Sequence, residues 1–401
     1  MAAPLDGVRV LEVANWLAAP AAAAMMADMG ADVIKVEPPG GDPYRATGVK
    51  IGFDIPFAMN YSFQLDNRGK RSITVDLDKP GGAETVRELA KTADIFITNL
   101  LPERRARYGL TFEDLKAVSP KVAYVLLSGY GSEGPESWRP GFDHAAFWAA
   151  SGIMGLMGEP TEAPPDCRSG QGDHTTSLNI LAASLAALRM AEVTGEAQFV
   201  ETCLQVSGMW TIAADYASTL ASGVDPKRAS RNAPRTPITN HFQCGDGRWI
   251  QFAMPKPFPA YWPRFAKAVG KPEWADLAPD LEALRKHNVA WVAELDGVFA
   301  TKPLAEWGAI FDEAGIIWAG VATPLEVAAS PQVQQMGWIT ELDHPVHGPF
   351  KTLNTPFRMH GTDTGARGPA PEAGANTEAV LREAGWREEQ LAELAAAGVF
   401  G

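Results

Sequence analysis

An aspartate between small residues, Asp173, is the side chain of this sequence best suited to covalent chemistry. It stands in the run Gly170-Gln171-Gly172-Asp173-His174-Thr175-Thr176-Ser177-Leu178, and an apolar stretch rich in Ala and Leu follows over 178–190. Small neighbours leave space for a bulky ligand, and an acid at a helix start lies near the positive end of the helix dipole. The pattern therefore indicates a candidate nucleophile. An aspartate before a helix is also commonly an N-cap, and this stretch alone favours that simpler interpretation.

The composition is typical of a large, well-packed globular protein. Its 401 residues are enough for two domains, since single cores stop growing at roughly 250 to 300 residues. The chain carries 35 Lys and Arg against 48 Asp and Glu, a net charge of −13, and 46% of its residues are hydrophobic. This balance argues against nucleic acid as a partner, because that would need a basic face. An anionic ligand would need a local basic pocket.

The cysteines and the chain start bear on compartment and metal content. Three scattered cysteines form no CxxC pair and have no His-rich spacing nearby: Cys167, Cys203 and Cys244. We therefore expect a reducing, cytoplasmic location, no disulfide framework and no metal site. The N-terminus has no basic segment ahead of an apolar run, so we expect no signal peptide. The most apolar stretch, 16–29, is shorter than the roughly 20 residues of a membrane span, so we expect no membrane partner.

Alternating β-branched runs and helical stretches predict an open sheet in the first 130 residues. Strands are expected at 7–13, 31–37, 72–77, 93–98 and 122–128, and helices at 18–29, 81–92 and 111–118. A β-α-β rhythm of about 30 residues is typical of a parallel sheet with right-handed crossovers. We therefore predict the α/β class with an open, parallel, Rossmann-like sheet, whose ligands bind beyond the carboxyl ends of the strands.

The rest of the chain predicts a division into a large domain over 1–224 and a smaller α/β domain over 225–330. Helices at 145–156 and 177–191 are apolar almost all round, which indicates burial on several sides. A hairpin on the Asp246-Gly247 turn is expected in the smaller domain. We expect 331–401 to be a linker and C-terminal segment that returns to the large domain and ends in two helices forming an exposed cap.

The first strand-to-helix turn argues against a nicotinamide or flavin cofactor. It reads Val13-Ala14-Asn15-Trp16-Leu17-Ala18-Ala19-Pro20 and lacks the GxGxxG fingerprint. A later glycine-rich segment, Gly129-Tyr130-Gly131-Ser132-Glu133-Gly134-Pro135, follows a predicted strand and marks a turn or a plain loop.

Five short segments, taken together and in order, carry a resemblance that spans nearly the whole chain. They are Pro4-Leu5-Asp6-Gly7-Val8-Arg9-Val10-Leu11, Gly30-Ala31-Asp32-Val33-Ile34-Lys35-Val36-Glu37-Pro38, Asn67-Arg68-Gly69-Lys70-Arg71-Ser72, Gly129-Tyr130-Gly131 with Gly134-Pro135, and Gly172-Asp173-His174. The set resembles the family III CoA-transferases, which have the α-methylacyl-CoA racemases as a sister branch. The tail from Ala379 to Val399 is similar to the family's ending.

The resemblance implies thioester chemistry with no metal and no permanently bound cofactor, and with an acyl-CoA and a carboxylic acid as partners. The carboxylate of Asp173 would attack a donor acyl-CoA to give a mixed anhydride and CoA thiolate. The thiolate would then form an aspartyl-CoA thioester, and an acceptor acid would reverse the steps. With the resemblance, we interpret Asp173 as the catalytic nucleophile, a role compatible with capping.

The resemblance also implies binding residues. The CoA substrate would contact Asn15, Trp16, Leu17, Ala18, Asn99, Leu100, Arg107 and Tyr108. Gly172, His174, Asp143 and Phe142 would lie near the substrate. Gly172 is a plausible donor to an oxyanion, and His174 would either orient the substrate or simply fill the next helix position. Arg107 could instead belong to a solvated helix face beside Arg104 and Arg105.

Three departures from the family's pattern narrow the function. Pro38 replaces an arginine that binds the nucleotide end in some members, so Arg45, Arg68 or Arg71 would have to substitute. The loop over 228–240 lacks the glycine run that closes over oxalate, so oxalate is not the expected acceptor. The racemase motif Gly-His-Asp reads Gly141-Phe142-Asp143 here. Phenylalanine carries no proton, so transfer is favoured over racemisation unless His144 takes its place.

The sequence says less about the oligomeric state and the substrate. By resemblance we expect an intertwined homodimer, with the active site between the two domains. A group of apolar side chains predicts either a pocket for a bulky acyl group or ordinary core packing: Trp138, Phe142, Phe147, Trp148, Met154 and Met157. An α-methylacyl-CoA racemase or isomerase and a non-catalytic acyl-CoA-binding protein are the alternative functions, and an oxidoreductase is weaker because the glycine fingerprint is missing.

Overall fold

The computed structural model describes residues 3–47, 52–253 and 258–400, which belong to two units. The first unit takes in Met1–Met154, Asp166–Ser222 and Gln332–Gly401, and the second takes in Gly155–Pro165 and Gly223–Pro331. The segment Gly155–Pro165 groups with the second unit, although the sequence pattern places it in the large domain. The limits given above for the functional domains stay a prediction.

A six-stranded parallel sheet forms the centre of the first unit. Its strands are β1 (Arg9–Val13), β2 (Asp32–Glu37), β3 (Arg71–Thr74), β4 (Ile95–Thr98), β5 (Ala123–Ser128) and β6 (Gln198–Cys203). They lie in the order β3-β2-β1-β4-β5-β6, and all neighbouring pairs are parallel. The direction of the strand order changes between β1 and β4, which is where open α/β sheets bind their ligands. The predicted α/β class and parallel sheet are confirmed.

Helices cover both faces of this sheet. They are α1 (Ala18–Asp28), α2 (Tyr44–Thr47), α3 (Tyr61–Asn67), α4 (Gly82–Ala90), α5 (Pro102–Tyr108), α6 (Phe112–Val118), α7 (Ile153–Leu156), α8 (Gln171–Thr194), α9 (Leu204–Thr211) and α10 (Ala213–Ser222). Side chains alternate across a strand, so Val10 packs in the core with α1 and α8, whereas Leu11 packs in the core with α4 and α6. Every residue of α1 is buried.

Two predictions about apolar helices are wrong. The stretch 145–156 is not one helix: a π-helix, Asp143–Ala149, ends before α7, and Gly152 lies between them with φ +86°. π-Helical turns occur frequently at functional sites, and this one begins directly after Phe142. The second helix, α8, is buried on one side only, because Leu178 and Met190 are exposed in this chain.

The second unit is built on a three-stranded antiparallel sheet. Its strands, in spatial order, are β7 (His241–Gln243), β8 (Trp249–Phe252) and β9 (Trp318–Gly320). The predicted hairpin is confirmed, and Gly247 in its turn has φ +79°. The helices are α11 (Phe258–Ala268), α12 (Trp274–Leu277), α13 (Leu281–Phe299), α14 (Leu304–Ala314) and α15 (Pro324–Ala329). An aromatic core that includes Phe242, Phe252 and Trp262 holds the unit together.

The C-terminal part packs against the first unit's sheet more closely than predicted. After α16 (Pro331–Met336), it forms the antiparallel pair β10 (Ile339–His344) and β11 (Gly348–Leu353), and ends with α17 (Thr377–Glu383) and α18 (Glu388–Ala396). The prediction that the last two helices form an exposed cap is wrong, because Val380, Leu381 and Leu391 are buried in the core that contains Ile34 and Ile73. Within the described ranges, no helix combines the length and apolarity needed to cross a lipid bilayer.

Candidate active site

A cavity of about 220 Å³ lies at the carboxyl ends of β1, β4 and β5 in the first unit. Eight of the residues predicted from the sequence line it: Asn15, Trp16, Leu17, Ala18, Asn99, Leu100, Phe142 and Asp173. The fold therefore brings the candidate nucleophile together with most of the predicted binding residues.

Asp173 lies in the first turn of α8, and it is not the N-cap. The helix begins at Gln171 after Gly170, whose φ of +81° suits glycine, and no side chain caps it. The backbone N–H of Gly170 donates to Oδ2 of Asp143 at 2.8 Å, which fixes the start of the helix. The N–H of Gln171 donates to the carbonyl of Arg168 at 3.2 Å. The N–H groups of Gly172 and Asp173, which have no partner within the helix, are the candidate donors to developing negative charge.

Gly172 is required for packing and not for ligand access. A Cβ atom at Gly172 would come within 2.6 Å of the Phe147 ring, and one at Gly170 within 2.9 Å of Leu17. The expectation that small residues leave space for a ligand beside Asp173 is therefore wrong at these two positions. The glycines instead let α8 begin close to the π-helix and to the turn after β1.

The environment of Asp173 disfavours its charged form. Burial, followed by the nearby charge of Asp143, raises the pKa of Asp173 from 3.8 to about 7. Asp66 acts in the same direction, while His174 and His144 act against it. Among the described residues, none donates a side-chain hydrogen bond to Asp173. The carboxylate is therefore partly ionised at neutral pH and poorly stabilised, as a carboxylate nucleophile requires.

Two Asp–His pairs act on Asp173. Nε2 of His174 lies 2.9 Å from Oδ1 of Asp66, which is 1% exposed, and Nδ1 of His144 lies 2.8 Å from Oδ1 of Asp143. Burial would lower the pKa of His174, but Asp66 and the hydrogen bond to it outweigh burial and raise it. His174, Asp143 and Gly172 do not line the cavity in the part of the chain described. Asp143 holds the start of the helix, whereas His174 lines a separate cavity together with Asp66.

The turn after β1 is held in an unusual conformation. Trp16 has φ +73°, and no other described non-glycine residue has a positive φ. A left-handed backbone at such a residue costs of order 1–3 kcal/mol and persists only where its surroundings impose it. Here Asn15 and Asn99 exchange hydrogen bonds of 3.2 and 2.8 Å, and the Trp16 N–H donates to Asp42. The sequence contains no sign of this strain.

The arginines proposed to replace the missing one after Glu37 each have a carboxylate partner within the protein, and their role toward the nucleotide stays a prediction. Arg45 pairs with Glu37, Arg68 with the buried Asp28, and Arg71 with Asp32, each with one N–O distance of 2.6 Å. Arg104, which the sequence suggested only as part of a solvated face, lines the cavity. Its guanidinium lies 5.7 Å from the Tyr108 ring, and it forms no ion pair among the described residues. Only its place in the first turn of α5, directly after the loop that follows β4, could have identified it.

Arg107 lies outside both cavities at this edge of the sheet. A second cavity of about 240 Å³ shares Asn15, Leu100 and Arg104 with the first and is also lined by Tyr108. Arg107 instead pairs with Asp78 at 2.7 Å and is largely exposed. Of the two residues predicted on this helix, the structure therefore places Tyr108 beside a ligand-sized space and leaves Arg107 on the outer face.

Half of the six apolar residues considered for an acyl pocket belong to the core or pack against it: Phe147, Trp148 and Met154. Phe147 and Trp148 are buried in a cluster with Ala146, Ile153 and Leu204. Trp138 is 66% exposed and does not line the cavity. Only Phe142 of that group lines it. No histidine is among the cavity's described lining residues, although the charge of His144 acts on Asp173. Racemisation through His144 therefore stays an alternative.

Comparisons with known proteins agree on one family. The sequence profile of CoA-transferase family III matches residues 5–377. The chain is 31% identical over 400 residues to cinnamoyl-CoA:phenyllactate CoA-transferase of Clostridium sporogenes, covering 97% of this chain and 95% of that protein. It is 33% identical over 389 residues to succinate–glutarate CoA-transferase of Agrobacterium fabrum, covering 95% of each.

A solved structure is also similar throughout. A CaiB/BaiF family protein from Brucella suis matches with a TM-score of 0.83 and 30% identity, covering 96% of this chain and 100% of that one. The profile spans most of the sequence, and the fold agrees with it over nearly its whole length. The chain therefore belongs to CoA-transferase family III and is an enzyme of the CoA-transferase type.

Proposed function

We propose that this protein moves CoA from an acyl-CoA thioester to a carboxylic acid, with Asp173 as the covalent nucleophile. The observation that carries the proposal is a half-buried carboxylate with a pKa of about 7 that faces the cavity at the sheet's switch point. A carboxylate of this kind is ionised in part at neutral pH and retains more nucleophilicity than a well-solvated one.

Each step conserves atoms and charge. A carboxylate oxygen of Asp173 attacks the thioester carbonyl, and the C–S bond breaks. CoA thiolate is released, and the acyl group stays on the enzyme as a mixed anhydride with Asp173. The thiolate then attacks the aspartyl carbonyl, and the anhydride C–O bond breaks. The donor acid is released, and Asp173 is now joined to CoA as a thioester. An acceptor carboxylate then runs both steps in reverse and restores Asp173. The free N–H groups in the first turn of α8 are suited to stabilise the oxyanions.

The CoA moiety fits the two neighbouring cavities at the carboxyl edge of the sheet. Asn15, Leu100 and Arg104 line both, so a long ligand that crosses this edge would contact all three. Arg104 supplies positive charge that no described carboxylate neutralises, which suits a phosphate or diphosphate group. The intertwined homodimer stays a prediction.

Arg104 and Arg107 give a direct test of where CoA binds. We expect Arg104→Met to raise the KM for acyl-CoA roughly 10-fold or more, because a hydrogen bond to a charged group contributes about 1.5–3 kcal/mol. Arg107→Met is the matched control from the same helix, and its KM should change less than about 2-fold, because an exposed ion pair contributes little. Equal effects on steady-state KM, or a larger effect of Arg107→Met, would contradict this assignment.

The covalent route is tested by intact-protein mass spectrometry. After incubation with a panel of acyl-CoA thioesters, the wild type should gain the mass of CoA less water, and hydroxylamine should convert Asp173 to its hydroxamate. Asp173→Asn should gain no adduct, while the control Asp215→Asn, at an exposed residue of α10, should behave as the wild type. An adduct that survives in Asp173→Asn would overturn the proposal. So would a wild type that is never modified but exchanges α-protons with deuterated water.

The similarity to known relatives does not identify the acyl group that this enzyme transfers CoA from. One relative is named for cinnamoyl-CoA and phenyllactate, and another for succinate and glutarate. A relative named for aromatic monoacids and one named for dicarboxylic acids thus have similar sequence identity to this chain. The choice between them must come from residues of the cavity itself.

A further inference from the structure

Two aromatic rings meet edge to face at the mouth of the Asp173 cavity. The rings of Trp16 and Phe142 have centroids 5.2 Å apart and planes at 89° to each other, which is a favoured arrangement of aromatic pairs. Both residues line the cavity, and Phe142 is 56% exposed. An exposed apolar ring that lines a cavity is available to pack against a ligand.

The backbone strain at Trp16 serves this arrangement. A tryptophan is among the residues least suited to a left-handed backbone, yet a buried network imposes it. Oδ1 of Asp42 accepts the Trp16 N–H, and Oδ2 of Asp42 lies 2.9 Å from Nζ of the buried Lys35. Strain that is supported so extensively, and that directs a ring into a cavity, indicates a function for the ring.

Phe142 is also tied to the nucleophile. It directly precedes Asp143, whose Oδ2 accepts the Gly170 N–H at the start of α8, three residues before Asp173. Trp16, Phe142 and Asp173 thus line the same cavity. An acyl group with its carbonyl at Asp173 would extend its tail along this lining toward the two rings.

The charges nearby disfavour a second carboxylate on that tail. Asp143 and Asp66 already act on Asp173 as like charges. Of the cavity's two arginines, Arg139 is compensated by Glu136 at 2.9 Å, and Arg104 stands at the edge shared with the second cavity. A dicarboxylic acyl group would place another negative charge in this acidic surrounding, whereas an apolar tail would lose only contact with water.

We propose that Trp16 and Phe142 form the acyl-selecting wall of the site, and that the enzyme prefers acyl groups with an apolar ring or branched tail over dicarboxylic ones. This inference rests on the proposed function. The two rings act on the same acyl group, so their effects on selectivity are coupled and not additive.

The test compares two donors, 3-phenylpropanoyl-CoA and succinyl-CoA, in the same single-turnover mass assay of the CoA adduct on Asp173. This readout needs no acceptor acid. We expect the wild type to form the adduct at least 10-fold faster with the aryl donor. Phe142→Ala and Trp16→Gly should each reduce that ratio at least 5-fold, because each removes a ring from the wall.

Two further variants separate the ring from the backbone and from general aromatic loss. Trp16→Phe keeps a ring on the strained backbone and should retain most of the preference, whereas Trp16→Gly relieves the strain but removes the ring. Trp138→Ala, an exposed tryptophan outside the cavity, should leave the ratio as in the wild type.

The outcomes distinguish the two proposals. A wild type that prefers succinyl-CoA, or Trp16 and Phe142 variants that slow both donors by the same factor, would overturn the acyl-selecting wall while leaving Asp173 as the nucleophile. Absence of the adduct with every donor would overturn the proposed function itself.

Discussion

Replacement of Asp173 by asparagine is expected to lower kcat/KM by roughly a thousandfold or more, because it removes the covalent nucleophile. Asparagine keeps the shape of the side chain, but its amide does not attack a thioester carbonyl. Steady-state assays with the donor identified by mass spectrometry would measure the loss. Asp215→Asn is again the control, and full activity in Asp173→Asn would exclude covalent catalysis by this residue.

The same variant should be more stable than the wild type, and increasingly so as the pH rises. Burial and Asp143 raise the pKa of Asp173 from 3.8 to about 7, so the ionised form is disfavoured in the folded state. Below pH 4 the carboxyl group is protonated in both states and costs nothing. Between pH 4 and 7 it ionises only on unfolding, so the folded state loses relative stability, and the full cost remains above pH 7.

Urea denaturation at pH 5 and pH 8 would check this expectation. The difference in unfolding free energy between Asp173→Asn and the wild type should be positive at pH 8 and smaller at pH 5. A variant that loses both activity and stability at pH 8 would indicate that Asp173 is a structural acid. Loss of activity together with a gain in stability is the usual result where a site is built at the expense of folding.

The sheet was predictable because its signal is local. The first five strands of the parallel sheet are short apolar runs, most of them β-branched, and the rhythm of about 30 residues predicts parallel pairing without any knowledge of the site. The failures lie where tertiary contacts decide. The break at Gly152 and the burial of Leu381 and Leu391 depend on elements far away in the chain, which an apolar pattern does not identify.

The candidate site was predictable only in part, for a similar reason. Loops that follow parallel strands meet at one edge, so Asn15 and Asn99 could be expected together. Asp173 lies in a helix, and only the family resemblance brought it to this site. The sequence could not predict which arginine stays without an ion pair. Asp28, Asp32 and Glu37 pair with the other candidate arginines only in the folded chain. The positive φ of Trp16 is likewise supported by a hydrogen bond to Asp42, which is 26 residues away in the sequence. The residues next to Trp16 in the sequence do not reveal it.

Glu12 lies beneath this turn and holds two lysines in the protein interior. Oε1 of Glu12 accepts from Lys35 at 2.8 Å, and Oε2 accepts from Lys70 at 2.6 Å, with all three side chains buried. Lys35 in turn supports Asp42, which accepts the Trp16 N–H. The site's strained turn therefore depends on a charge at the end of β1 that no ligand touches.

We expect Glu12→Gln to lower the free energy of unfolding by about 3–5 kcal/mol, the usual effect of removing one partner from a buried ion pair. The amide keeps one acceptor and directs its donor N–H groups at an ammonium, so one lysine loses its counter-charge. Glu88→Gln, which breaks only the exposed pair with Lys91, is the matched control and should change stability by less than about 1 kcal/mol.

The pH dependence of this loss identifies its cause. Burial lowers the pKa of Lys70 to about 8 against the attraction of Glu12, so removing Glu12 should lower it further. A lysine with a depressed pKa in the folded state costs most when it is protonated, and that cost falls once it deprotonates. The stability difference between Glu12→Gln and the wild type should therefore be larger at pH 6 than at pH 9. A difference that is the same at both values would attribute the loss to packing and remove the charge network as the support of the Trp16 turn.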